Sequence, residues 1–141
     1  MRLHHLGFVG RDLATLQRRF GAECEPLTEA IADPIQRVVV QFYRERASGD
    51  VWEIVAPLTT VEDSPLAGRI ARGGGLDHVC YELEDGDGTI EAVVAAARAQ
   101  GAQVTCPPVY AAAFERRVAF VLFRSGRLVE YVEPRPPGRV V

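Results

Sequence analysis

The sequence predicts an α+β protein built from two tandem βαβββ modules that form a cup-shaped mixed sheet. Three observations carry that prediction. Two strand-like segments, residues 3–9 and 76–82, each hold a histidine, His5 and His78. Each is followed by an acidic residue and a run of helical apolar periodicity, and each half then closes on a glutamate-bearing strand that ends in proline.

The strand-like segments read Leu3-His4-His5-Leu6-Gly7-Phe8-Val9 and Leu76-Asp77-His78-Val79-Cys80-Tyr81-Glu82. The helices that follow cover 12–20 and 90–98. The second has Asp87 or Thr89 to cap its start and Gly101 just past its end, the usual punctuation of a helix. After each helix comes a β-rich run, 37–43 and 117–123, and then a turn at Ser48-Gly49-Asp50 or Ser125-Gly126, which implies a hairpin in both halves. The closing strands are 51–57, with Glu53 and Pro57, and 128–134, with Glu130 and Pro134; proline stops further ladder pairing. The offsets between equivalent residues agree with a duplication: 78 − 5 = 73 for the histidines, 85 − 12 = 73 for Asp12 and Asp85, and 130 − 53 = 77 for the glutamates.

The 141 residues are therefore expected to form one domain, with a first module at 1–57, a linker at 58–75, a second module at 76–134 and a tail at 135–141. The linker carries a short helix near 64–72 with Pro65 in its first turn, then Gly73, Gly74 and Gly75. The tail, rich in proline and polar residues, is expected to fray.

Composition excludes several classes. A net charge of −3 and scattered arginines give no field for a phosphate backbone, so nucleic acid is not an expected partner. No apolar run approaches the roughly 18 residues that cross a bilayer. The first residues lack a signal-like apolar segment, and a cytoplasmic location is expected. Cys24, Cys80 and Cys106 lack metal-type spacing and read as small buried hydrophobes.

A duplicated unit packed about a pseudo-twofold brings equivalent positions together near the axis. His5, Glu53, His78 and Glu130 are then candidate ligands of one divalent metal ion. Imidazole and carboxylate suit Co, Mn, Ni, Fe or Zn, and the absence of thiolate disfavours a closed structural zinc site. Glu53 and Glu130 sit inside apolar strands, where an unpaired carboxylate would cost several kcal/mol. His4 points to the opposite face from His5 and reads as a surface or supporting residue; Cys80 shares the face of His78, either inside a cavity or as a filler.

These fragments together resemble the vicinal-oxygen-chelate superfamily of glyoxalases, bleomycin resistance proteins and dioxygenases, and within it methylmalonyl-CoA epimerases. The fragments are His5-Leu6-Gly7-Phe8-Val9 with Asp12-Leu13, then Glu53-Ile54-Val55-Ala56-Pro57-Leu58, Asp63-Ser64-Pro65-Leu66-Ala67, Gly75-Leu76-Asp77-His78-Val79 and Leu128-Val129-Glu130. The resemblance implies a glyoxalase-like fold and a substrate that chelates the metal through two neighbouring oxygens. It also implies proton-transfer chemistry of the epimerase, isomerase or glyoxalase-lyase type on a small carbonyl or thioester metabolite. The epimerases commonly carry a glutamate before the third strand; this chain has Ile35 there, which leaves Glu130 or Glu53 as the catalytic base. Ala113, Phe114, Glu115, Arg116 and Arg117 read either as substrate contacts or as a charged loop. Two other functions fit the same scaffold, a metal-free binding protein of the bleomycin-resistance type and an extradiol dioxygenase. Exposed strand edges make a homodimer the expected assembly.

Overall fold

A computed structural model describes residues 1–141. Its elements run β1 (Arg2–Val9), α1 (Leu13–Gly21), β2 (Cys24–Pro26), β3 (Ile31–Asp33), β4 (Val38–Glu45), β5 (Val51–Pro57), α2 (Ala67–Ala71), β6 (Gly75–Glu82), α3 (Ile90–Ala99), β7 (Gln103–Ala111), β8 (Arg116–Leu122) and β9 (Leu128–Val132). The chain has the mixed α+β fold that the repeat predicts. It divides into two compact units, His5–Asp77 and, for the other, Met1–His4 together with His78–Val141. The first four residues thus belong with the second half of the chain.

In the unit His5–Asp77 the strand order is β2-β4-β5-β1, with β3 also on β4. Strand β1 runs parallel to β5, and every other pairing is antiparallel. The other unit repeats this order as β7-β8-β9-β6, with β6 parallel to β9 and the rest antiparallel. The repeat read from the sequence located three strands in each half. The fourth is β7 in one unit, bulged around Cys106, and the pair of three-residue strands β2 and β3 in the other. Short or bulged strands give no clean alternation, which is why the pattern passed over them.

Each helix covers one face of its strands. Asp12 caps α1 by accepting from the Thr15 amide, and Leu16 and Phe20 pack with Phe8, Trp52, Tyr43, Ile54 and Ala56. Gln17 donates to the buried Gln41, whose own amide donates to the Thr28 carbonyl, so the polar side chain within this interface is satisfied. Thr89 caps α3, and Ile90, Val93, Val94 and Ala97 bury against Ala119, Val121, Val129 and Tyr131. Full burial of each isoleucine and valine here contributes about 1.5–3 kcal/mol. Because strand side chains alternate, packing Phe8, Trp52 and Ile54 on α1 turns His5 and Glu53 to the other face; packing Val79, Val129 and Tyr131 on α3 does the same for His78 and Glu130.

The tail does not fray. Arg116 donates to the Val141 and Phe114 carbonyls, Arg135 donates to the Val140 carbonyl, and Arg139 pairs with Glu115, so Val141 is buried. Composition alone pointed to disorder, but these carbonyl contacts tie the backbone down. No helix is long and apolar enough to cross a membrane.

Candidate metal-ligand pairs

Within His5–Asp77, β1 and β5 are parallel and Gly7 is in register with Glu53. His5, two residues before Gly7 on the same face, brings its Nε2 to 3.3 Å from Glu53 Oε2. On the other side of β5, Phe42 is in register with Glu53, and its ring meets the His5 imidazole edge-on at 5.4 Å. Phe42 is fully buried, so the histidine ring is held between strand backbone and an aromatic wall.

The other unit repeats this arrangement residue for residue. Strand β6 is parallel to β9 with Cys80 in register with Glu130, and His78, two residues before Cys80, has its Nε2 3.5 Å from Glu130 Oε2. Phe120 of β8 is in register with Glu130 and meets the His78 ring edge-on at 5.3 Å. The four polar residues are 1–5% exposed: His5 1%, Glu130 2%, Glu53 5% and His78 5%. Burial this deep makes a charged carboxylate expensive unless it is paired, and in each unit an imidazole lies beside it. An imidazole nitrogen beside a carboxylate oxygen is the donor set of a divalent transition metal, so each pair fits such an ion.

The aromatic partners Phe42 and Phe120 are what a search for metal-binding residue types overlooks. Their signal in the sequence is positional: each stands inside the β-rich run after its helix, 53 − 42 = 11 and 130 − 120 = 10 residues before the glutamate it faces, with phenylalanine in both copies. Cys80 is fully buried on β6, as the small-filler reading expects, and its sulfur lies within 4.8 Å of a nitrogen of His4.

His4 is not a surface residue. Its ring packs edge-on against Phe114 at 5.4 Å and its Nε2 lies 3.8 Å from Glu82 Oε2. Glu82, itself buried, is the centre of an ionic knot. Arg2 donates to its Oε1 at 2.6 and 3.1 Å; Arg116 at 2.7 Å and Arg135 at 2.9 Å donate to its Oε2. Burial alone would raise the Glu82 carboxyl, but hydrogen bonds from Arg2 and Arg135 and the nearby positive charge outweigh it and hold the group below the ordinary carboxylate range. Burial also pulls the Arg116 guanidinium below its ordinary value, against the field of Glu82.

The segment before β8 is committed to structure. Ala113, Phe114 and Arg116 are buried, and Arg117 binds Glu133 and Glu91, joining β8 to the chain after β9 and to α3. Ile35 lies in the turn between β3 and β4, where the Asp33 carboxylate accepts from the Ile35 and Gln36 amides. Its side chain is 57% exposed and offers no group that takes a proton.

Comparison with known proteins agrees with this architecture. The family described as the Glyoxalase/Bleomycin resistance protein/Dioxygenase superfamily matches residues 4–120. Among solved structures, a hypothetical protein from Bacillus halodurans C-125 is 26% identical with a TM-score of 0.77, covering 98% of this chain and 97% of that one. A methylmalonyl-CoA epimerase from Mycobacterium tuberculosis is 22% identical with a TM-score of 0.74, covering 95% and 88%. A variant of the Streptomyces coelicolor methylmalonyl-CoA epimerase, in complex with 2-nitronate-propionyl-CoA, is 21% identical with a TM-score of 0.75, covering 96% and 99%. No curated protein sequence matches the chain. With the family matched over most of its length, the chain belongs to the glyoxalase, bleomycin resistance protein and dioxygenase superfamily.

Proposed function

We propose that this protein is a metal-dependent enzyme that moves a proton beside a carbonyl, as an epimerase, isomerase or glyoxalase-type lyase does, on a small carbonyl or thioester metabolite. The observation that carries the reading is the pair of buried imidazole and carboxylate groups built identically in each module, His5 with Glu53 and His78 with Glu130. In this proposal this imidazole–carboxylate donor set is what binds a divalent ion.

A bound ion of this kind supplies Lewis-acid polarisation of a carbonyl oxygen. The chain's own residues do the rest. The histidines orient the carboxylates, and the rings of Phe42 and Phe120 pack edge-on against the imidazoles and limit water there. One of Glu53 and Glu130 takes the proton from the carbon next to the carbonyl, since Ile35 has no group for it. A base at one of these glutamates, in place of a separate base at residue 35, favours a reaction in which a single carboxylate serves both removal and return of the proton. The likeness to methylmalonyl-CoA epimerase structures supports a thioester as one candidate substrate class.

The test is metal analysis of untreated protein together with deuterium exchange from solvent into 2-substituted thioesters and 2-oxoaldehydes. We expect about one divalent ion per chain, exchange at the carbon beside the carbonyl, and no oxygen uptake. A protein that neither carries nor binds a divalent ion would overturn the reading. Oxygen uptake with a catechol would replace it by dioxygenase chemistry, and tight ligand binding without exchange by a binding protein.

A further inference from the structure

We infer that the cleft at the carboxyl end of β1 binds an organic phosphate, at a site separate from the histidine–glutamate pair of the same unit. The cleft is a cavity of about 370 Å³ lined by Phe8, Val9, Leu16 and Ile70 on its floor and by Arg11 and Arg19 at its mouth. That volume falls at the lower end of small-ligand pockets. Gly10 at its edge lies five residues beyond His5, roughly 16 Å along an extended strand.

Charge at the mouth favours an anion. Asp12 is the one acidic lining residue, and its carboxylate is committed: it accepts from the amide and the hydroxyl of Thr15, with Arg18 close enough to stabilise its charge. Arg18 in turn donates to the Thr15 hydroxyl. No ion pair engages Arg11 or Arg19, so two guanidinium groups remain for an incoming anion, and a guanidinium presents paired donors that match phosphate oxygens.

The opposite wall is fixed. Gly73 and Gly74 donate their amides to the Ile70 and Arg69 carbonyls, so they supply shape and not donors. At Gly74 a Cβ would come within 2.6 Å of the Val9 carbonyl oxygen, and φ is +64°, so only glycine lets the linker lie this close to the end of β1. Val9, Leu16 and Ile70 are buried beneath, which gives the cleft an apolar floor as well as a cationic rim. Inorganic phosphate would use only the rim; an aromatic or other apolar phosphomonoester uses both.

The experiment titrates phenyl phosphate, phenol and inorganic phosphate separately into the metal-free protein while following backbone amide shifts. The same titrations are run on Arg11→Gln/Arg19→Gln. We expect phenyl phosphate to move the Gly10, Thr15, Gly73 and Gly74 resonances and to bind more tightly than either fragment. We expect its affinity to fall about 10-fold or more in the double variant, in keeping with loss of charge-assisted bonds. Both arginines are exposed and unpaired, so an unchanged spectrum elsewhere will report an intact fold. No shift at those amides, equal binding by inorganic phosphate, or undiminished binding by the variant would each overturn the assignment. Because the readout is binding to metal-free protein, it does not depend on the chemistry proposed above.

Discussion

Phe42 and Phe120 hold the same position in the two units: each is the register partner of a buried glutamate and packs edge-on against the histidine paired with that glutamate. An imidazole free to rotate spreads its nitrogen over many directions, whereas a ring wedged by an aromatic edge keeps Nε2 aimed at one point. Groups that orient metal ligands typically affect affinity 10–100-fold. Phe120→Leu, which keeps an apolar side chain while removing the ring, is therefore expected to weaken binding of a divalent ion by about 10-fold. Competition with a chromophoric chelator measures it, and unchanged affinity would detach this ring from ligand orientation.

The two glutamates separate in their roles when metal is saturating. In the proposed metal site Glu53→Gln and Glu130→Gln would each remove a charged oxygen ligand, so each is expected to lower metal affinity. With excess ion restoring occupancy, the variant that lacks the base should lose about 10²–10⁴ of the solvent-exchange rate. The other should retain most of it. Deuterium incorporation followed by mass spectrometry reads the rates, and equal retention in both would remove the carboxylates from proton transfer.

The parts of this architecture that were legible in the sequence are those governed by local period. Alternation turned His4 away from His5 and put Cys80 on the face of His78, the duplicated positions singled out Glu53 and Glu130, and the Thr89 and Gly101 punctuation bounded α3. What was not legible depends on contacts distant in sequence. Composition marked the tail as loose, and nothing local announces that Arg116 will hold the Val141 carbonyl 25 residues on. For His4, read as a surface or supporting residue, the surface alternative falls for the same reason: alternation turns it away from His5, but only the arrival of Glu82 and Phe114, remote in the chain, decides that this other face is also buried.

Gly73 and Gly74 stand side by side with positive φ, yet alanine should not be equal at the two. At Gly73 the added methyl meets open space, so the cost is the backbone conformation alone, about 1 kcal/mol. At Gly74 the methyl would also press on the Val9 carbonyl, and a strand end does not retreat freely. Gly74→Ala is expected to cost at least about 2 kcal/mol, a Tm loss of several degrees for a chain of this size. Thermal unfolding of both variants decides it; equal shifts would mean that the linker moves away from β1 at no cost.

Glu82 should set part of the acid limit of the fold. Its carboxyl is held below the ordinary range in the folded state, so the stability it contributes is fully present above the unfolded value of about 4.3 and is lost as pH falls through the lowered folded value. Replacing it by glutamine leaves three arginines facing one another, with Arg116 buried and stripped of its counter-charge. Removing one partner of a buried ion pair costs about 3–5 kcal/mol, so Glu82→Gln should lower stability by that order at pH 7. The variant should also lose less additional stability between about pH 5 and pH 3 than the parent does, because the titrating group is gone. Urea unfolding at a series of pH values measures both effects. A variant that is destabilised at pH 7 but keeps the parent's full acid dependence would show that other carboxylates, such as Glu133 beside Arg117, set that limit instead.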